Sequence, residues 1–79
     1  MKVNIMYFAA MREQAGKSEE IAETNAITPD QLFDEVYKKY NFSISKKNLK
    51  VAINDNYSSF QTKLSENDTV VFIPPVAGG

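Results

Sequence analysis

Chemistry has few places to start in this chain. Its 79 residues include no Cys and no His, which removes the thiolate nucleophile, the commonest general base and the usual ligands of zinc. Asp, Glu, Lys and Tyr remain, but none falls in a catalytic spacing, so no self-contained active site is expected. The reactive group that stands out is the terminal carboxylate of Gly79, preceded by Gly78. Gly is roughly 7% of an average sequence, so a Gly pair at a given place arises by chance in about 0.5% of chains.

The approach to that carboxylate has a direction. Thr69-Val70-Val71-Phe72-Ile73 is an apolar strand-like run. Pro74 and Pro75 then end any ladder and favour a stiff extended path. After them the side chains shrink from Val76 to Ala77 to Gly78 and Gly79. From the residues alone two readings stay open. One is a frayed terminus with no role. The other is a tapered, flexible tail over 76–79 that threads a narrow channel and presents its carboxylate inside another protein. Ordering Val76 to Gly79 would cost about 4–8 kcal/mol in backbone entropy. A channel-threading tail therefore needs a docking surface on the domain over 1–75, and pre-stiffened prolines reduce what that surface must offset.

Composition narrows the partner class. Hydrophobic residues are 43%, charged residues 24% and the net charge is −1, ordinary for one small globular domain. That balance gives no reason to expect nucleic acid or an anionic membrane as partner. No apolar run approaches the ~18 residues of a transmembrane helix, and Met1-Lys2 leads into a strand rather than a signal peptide. A cytoplasmic protein is expected, with no bound metal or cofactor.

The elements that must position the tail are legible from periodicity. Residues 2–8 alternate Lys2, Asn4, Met6, Phe8 against Val3, Ile5, Tyr7, as a strand does. Residues 9–18 read as a connection in which Ala-Ala-Met-Arg-Glu-Gln-Ala forms a short turn of helix ended by Gly16, and 18–24 as a short second strand around Ile21. Thr28-Pro29-Asp30-Gln31 is a capping box with proline at the first helical position, and Ile27 and Leu32 fall where a hydrophobic staple would. Leu32, Phe33, Val36, Tyr37 and Tyr40 make one helical stripe whose tyrosines read as core edges, with acids near its start, Lys38 and Lys39 near its end, and Asn41 as the stop. Residues 42–48 read as loop, with Lys46-Lys47 a solvated turn. Leu49 to Asn54 reads as a strand, Asp55-Asn56 as a turn, the stretch with Tyr57, Phe60 and Leu64 as irregular, and 69–73 as the last strand. Strand, strand, helix, strand, strand predicts an α+β roll of the β-grasp, ubiquitin-like kind, a mixed sheet covered on one face by one main helix.

Strand parity assigns the two faces. If Val3, Ile5, Tyr7, Val51, Ile53, Val70 and Phe72 meet the helix, the other face carries Lys2, Asn4, Met6, Phe8, Lys50, Ala52, Thr69, Val71 and Ile73, with Met6, Phe8, Val71 and Ile73 clustered near the tail. Four exposed apolar side chains in one place indicate a partner surface. A register shift, or a fold of the Tyr57 segment over the patch, would remove it.

At this point the residues resemble a family. Tyr7-Phe8-Ala9-Ala10-Met11-Arg12-Glu13-Gln14-Ala15-Gly16 is similar to the first strand and turn of the small subunit of molybdopterin synthase. Val51-Ala52-Ile53-Asn54 with Phe60, Leu64 and Asp68, and then Val70 through Pro74-Pro75-Val76-Ala77-Gly78-Gly79, resembles its second half. The helix matches in position only, and 41–48 match little, so no role passes to Lys46 or Lys47.

The resemblance implies a sulfur carrier. An ATP-dependent adenylyltransferase of the ubiquitin-activating kind would adenylate Gly79, and sulfur from a persulfide would displace the adenylate to give a thiocarboxylate. The tail would enter the large subunit of molybdopterin synthase and give its sulfur to a cyclic pyranopterin precursor, building the dithiolene. The chain would be one subunit of a sulfurtransferase heterotetramer, binding no cofactor itself. The chemistry suits the chain: a carboxylate is a poor electrophile and adenylation supplies a leaving group. Without Cys, sulfur has no side chain to ride on. Met6, Phe8, Arg12, Tyr57, Val71 and Ile73 are the expected partner-binding residues. Other readings are a carrier for thiamine synthesis or tRNA thiolation, a ubiquitin-like modifier forming isopeptide bonds, and an interaction module with an inert tail. The Phe-Ala-x-x-Arg-Glu segment and the Pro-Pro-Val lead-in argue against the thiamine and tRNA carriers.

Overall fold

The computed structural model describes residues 1–75, and the tail segment Val76 to Gly79 with its expected flexibility lies outside the described residues. Five strands and two helices follow in the order β1 (Lys2–Tyr7), α1 (Ala9–Ala15), β2 (Glu19–Glu23), α2 (Pro29–Tyr40), β3 (Lys50–Ile53), β4 (Asn56–Ser58) and β5 (Thr69–Ile73), with a 3-10 turn over Lys46–Asn48 before β3. The sheet order is β2-β1-β5-β3-β4. β1 and β5 run parallel at its centre and the other pairs are antiparallel, the mixed sheet of a β-grasp roll.

The expected core strands face inward. Val3, Ile5, Tyr7, Val51, Ile53, Val70 and Phe72 are all buried, with Leu32, Phe33 and Val36 of α2 laid over them. Such burial yields roughly 1.5–3 kcal/mol per large apolar side chain, the main force available to a domain this small. Tyr37 lies at the edge of the arc that α2 turns to the sheet, 44% exposed with its ring against Phe33, as expected for a stripe tyrosine at the core edge.

Capping fixes where α2 starts and stops. The Thr28 hydroxyl accepts from the Gln31 N–H at 3.3 Å, while the Gln31 side chain accepts from the Ile27 N–H at 2.9 Å rather than from Thr28. Leu32 is buried, while Ile27, its expected staple partner, is 52% exposed. Asn41 ends the helix in the left-handed region at φ 55.

The short helix expected after β1 is α1, seven residues long, which buries Met11 and Ala15 and is ended by Gly16 at φ 76. Three expectations need correction. The turn after β3 lies one residue earlier than expected, at Asn54 and Asp55, both left-handed at φ 51 and 71. Two such residues make the twist that closes a two-residue hairpin, so Asn56 and Tyr57 belong to β4 rather than to an irregular stretch. The 42–48 loop is not merely solvated: Phe42 is buried against Tyr7, Phe33 and Tyr40. Lys46 bridges Asp30 and Asp34 of α2 at 2.7 and 2.9 Å, and these two bonds hold its ammonium above the ordinary lysine range despite some burial.

Candidate functional site: the outer-face groove beside the β5 exit

Register builds a row of side chains across the outer face. Met6 of β1 is in register with Val71 of β5, Val71 with Ala52 of β3, and Ala52 with Tyr57 of β4. Phe8 follows β1 in extended conformation, φ −122 and ψ 156, so it keeps the parity of Met6. The chain then turns sharply at Ala9, whose φ of 50 is unusual for a residue with a Cβ. On the far side of β5, Ile73 is in register with Lys50.

These residues line one open groove of about 300 Å³, formed by Met6, Phe8, Ala52, Tyr57, Val71 and Ile73 with Asp55 at its rim. The structure therefore brings together five of the six expected partner-binding residues. Arg12 is the exception. It is exposed on α1, linked to the groove only through its N–H, which donates to the Phe8 carbonyl at 3.3 Å.

The patch differs in depth from the expectation of four exposed side chains. Phe8 is 43% exposed, Met6 and Ile73 are half-buried, and Val71 is only 9% exposed. Val71 sits on the central strand between Met6 and Ala52, which leaves it as the floor. Tyr57 is the prominent rim, 75% exposed, with the Lys50 ammonium 6.0 Å from its ring centroid. Strand parity places Ala52 on this outer face, as found, while sequence reasoning missed Asp55 at the rim. The available signal was Asn54-Asp55, two residues that tolerate the left-handed region in turns and so set Tyr57 opposite Ala52.

β5 delivers the chain to the groove's open end. Pro74 is buried and Pro75 exposed, so the first proline belongs to the domain surface and the second leaves it. No group of His, Cys, Asp and Glu able to hold a metal ion occurs among the described residues.

The helix side carries the main electrostatic feature. Tyr7 and Tyr40 both donate to the same Glu20 oxygen, at 2.6 and 2.7 Å, while Lys39 and Lys17 lie 3.4 and 3.6 Å from the other. Burial pushes the Glu20 carboxyl up, but the phenol bonds and the lysine charges outweigh it and hold the carboxyl below its ordinary range. Burial first, and then the bond to Glu20, push the Tyr7 phenol far above the usual tyrosine range, so it remains a neutral donor. Glu20, Tyr7 and Tyr40 are structural, because their polar atoms are paired and the cluster lies on the helix side of the sheet, opposite the groove.

The model of the ThiS family matches residues 5–79. The chain belongs to that family. Among characterised relatives, the molybdopterin synthase sulfur carrier subunit of Mycobacterium tuberculosis is 34% identical over 82 residues, covering 100% of this chain and 99% of that protein. The subunit of the same name from Chlamydomonas reinhardtii is also 34% identical, with 100% of both chains covered. Among solved structures, a putative molybdopterin converting factor subunit 1 from Pyrococcus furiosus matches at TM-score 0.78 and 28% identity, over 96% of this chain and 99% of that one. SAMP1 of Haloferax volcanii matches at TM-score 0.80 and 17% identity over 100% of both chains, a likeness of fold alone. The Helicobacter pylori complex of subunits 1 and 2 of molybdopterin-converting factor contains a chain that matches at TM-score 0.71 and 21% identity over 100% of both chains.

Proposed function

We infer that this chain is the sulfur carrier subunit of a molybdopterin synthase. The observation that carries the reading is end-to-end similarity to proteins of that name, on a fold whose last strand exits beside an apolar groove. The groove residues Met6, Phe8, Tyr57 and Ile73 dock the carrier on its partners, with Arg12 at the edge, and Val71 supports them from the floor.

Pro74 and Pro75 aim the chain away from the sheet, and Val76, Ala77 and Gly78 pass through the partner's channel. Gly78 and Gly79 lack a Cβ, which permits close backbone approach to an enzyme wall. The carboxylate oxygen of Gly79 attacks the α-phosphate of ATP in an adenylyltransferase and releases pyrophosphate. A persulfide sulfur then attacks the acyl carbon and AMP leaves. Reductive cleavage of the resulting S–S bond by a thiol leaves the thiocarboxylate. In the large subunit that sulfur attacks the pyranopterin precursor, and water later returns Gly79 to a carboxylate. The chain supplies the carrier half of this sulfurtransferase, binds no cofactor of its own, and works in the cytoplasm.

Intact mass of the protein purified from its host tests the reading. A fraction carrying one sulfur in place of one oxygen at Gly79 supports it. Attachment of Gly79 to a lysine of another protein would make the chain a modifier instead, and an unmodified terminus under molybdenum-cofactor demand would contradict it.

A further inference from the structure

The groove does not account for the second prominent apolar residue of the outer face. Ile21 lies at the middle of β2 and is 75% exposed, as far out as Tyr57, and β2 is an edge of the sheet. Beside it lies a hollow of about 410 Å³ bordered by Lys2, Asn4, Glu19, Ile21 and Asn67.

Among the described residues the outer backbone edge of β2 has no partner strand, in register with these side chains. Just outside the strand's ends, the Tyr7 N–H donates to the Ser18 carbonyl and the Thr24 N–H to the Met1 carbonyl, each at 2.9 Å. Bonded and non-bonded positions alternate in an antiparallel pair, and Ile5 and Val3 are the partners of Glu20 and Ala22. Glu20 and Ala22 therefore bond to β1, while Glu19, Ile21 and Glu23 turn their N–H and C=O groups outward. The same three residues put their side chains on the outer face, because Glu20 points to Tyr7 on the helix side.

We propose that the β2 edge is a second docking site, occupied by an extended segment of a partner protein with the pattern basic–x–apolar–x–basic. Such a segment adds a sixth strand. Its backbone pairs with Glu19, Ile21 and Glu23, its apolar residue covers Ile21, and its two cations meet the two carboxylates. Glu19 is exposed and in no ion pair among the described residues. Glu23 stays 73% exposed although the N-terminal ammonium is 3.9 Å away. A second copy of this chain does not fit. Antiparallel β2–β2 pairing centred on Ile21 sets Glu19 opposite Glu23 of the other copy at both ends, like charges directly opposed. The acids that block self-pairing select a basic partner. The site is independent of the sulfur-carrier reading, and it leaves the groove on β1, β5, β3 and β4 open at the same time.

The test uses the full chain, labelled with nitrogen-15, and the peptide acetyl-Ser-Lys-Thr-Val-Thr-Lys-Ser-amide. Saturable shifts are expected over β2 and at Lys2 and Asn4, with hydrogen exchange slowed at the Glu19, Ile21 and Glu23 amides and unchanged at Glu20 and Ala22. Replacing both peptide lysines by glutamates should weaken binding about tenfold or more. The double variant Glu19→Lys, Glu23→Lys should reverse that preference, and Ile21→Lys should lose binding with the remaining spectrum intact. Absence of saturable shifts, equal binding of the two peptides, or shifts centred on Met6, Phe8 and Tyr57 would overturn the proposal.

Discussion

Tyr7 on β1 and Glu20 on β2 are joined by a 2.6 Å hydrogen bond across the diagonal of the β1–β2 pair, two residues beyond the Ile5–Glu20 register. Tyr40 of α2 reaches the same oxygen. One carboxylate thus ties the edge strand to the central strand and to the end of the helix.

Glu20→Ala should destabilise the domain by about 2–4 kcal/mol, because it leaves the buried Tyr7 and part-buried Tyr40 hydroxyls without an acceptor. The folded carboxyl lies below its ordinary range, so its contribution is fully present above the unfolded value of about 4.3. It fades as pH falls through the lower folded value. Urea unfolding midpoints measured from neutral pH downward should show this acid limb in the parent and a flatter one in Glu20→Gln.

In the groove, Phe8→Asp and Ile73→Asp should each weaken association with the large subunit and with the adenylyltransferase by about 2 kcal/mol or more. Circular dichroism should stay native, since neither residue is fully buried. Val71→Asp should fail differently: it sits on the floor of the groove, and unfolding is expected to precede any binding measurement. Native-like stability in Val71→Asp would show that the floor is open.

Ala9→Val should cost about 1–2 kcal/mol of stability, because a β-branched side chain is poorly tolerated at a positive φ. The turn at Ala9 also aims Phe8, so partner affinity should fall with stability, whereas a destabilising variant on the helix side of the core such as Val36→Ala would leave affinity unchanged. Calorimetric unfolding paired with titration against the large subunit separates the two.

Deleting Gly79, or adding one residue after it, should abolish thiocarboxylate formation while leaving the amide spectrum of residues 1–75 unchanged. Normal sulfur loading of the extended variant, read by intact mass, would remove the terminal carboxylate from the mechanism.

Much of this was legible where local rules and burial agree. The 2-residue period of β1 and β5 set their inward faces, and the Thr28–Gln31 cap with Asn41 bracketed α2 within a residue. The misses have physical causes. β4 is three residues long, too short for periodicity to register, and its existence follows from left-handed Asn54 and Asp55. Phe42 is buried because the preceding helix brings Phe33 and Tyr40 to it and distant Tyr7 of β1 closes over it. Lys46 is paired because Asp30 and Asp34 are one turn apart on α2. Val71 is covered because its neighbours on both sides are apolar, a fact of sheet order that parity alone does not contain.

The central β1–β5 pair joins Asn4 to Thr69, partners separated by 69 − 4 = 65 positions. A ribosome must make nearly all of this sequence before the strand that divides β1 from β3 exists. Pairing of this kind closes a long loop before it is rewarded and slows folding. It also acts as proofreading: a chain truncated before Thr69 lacks the strand between β1 and β3 and is expected to stay unfolded and open to proteolysis. Only molecules translated through to the prolines acquire a groove to dock with, so damaged or unfinished carriers are withheld from their enzymes without a dedicated inspector.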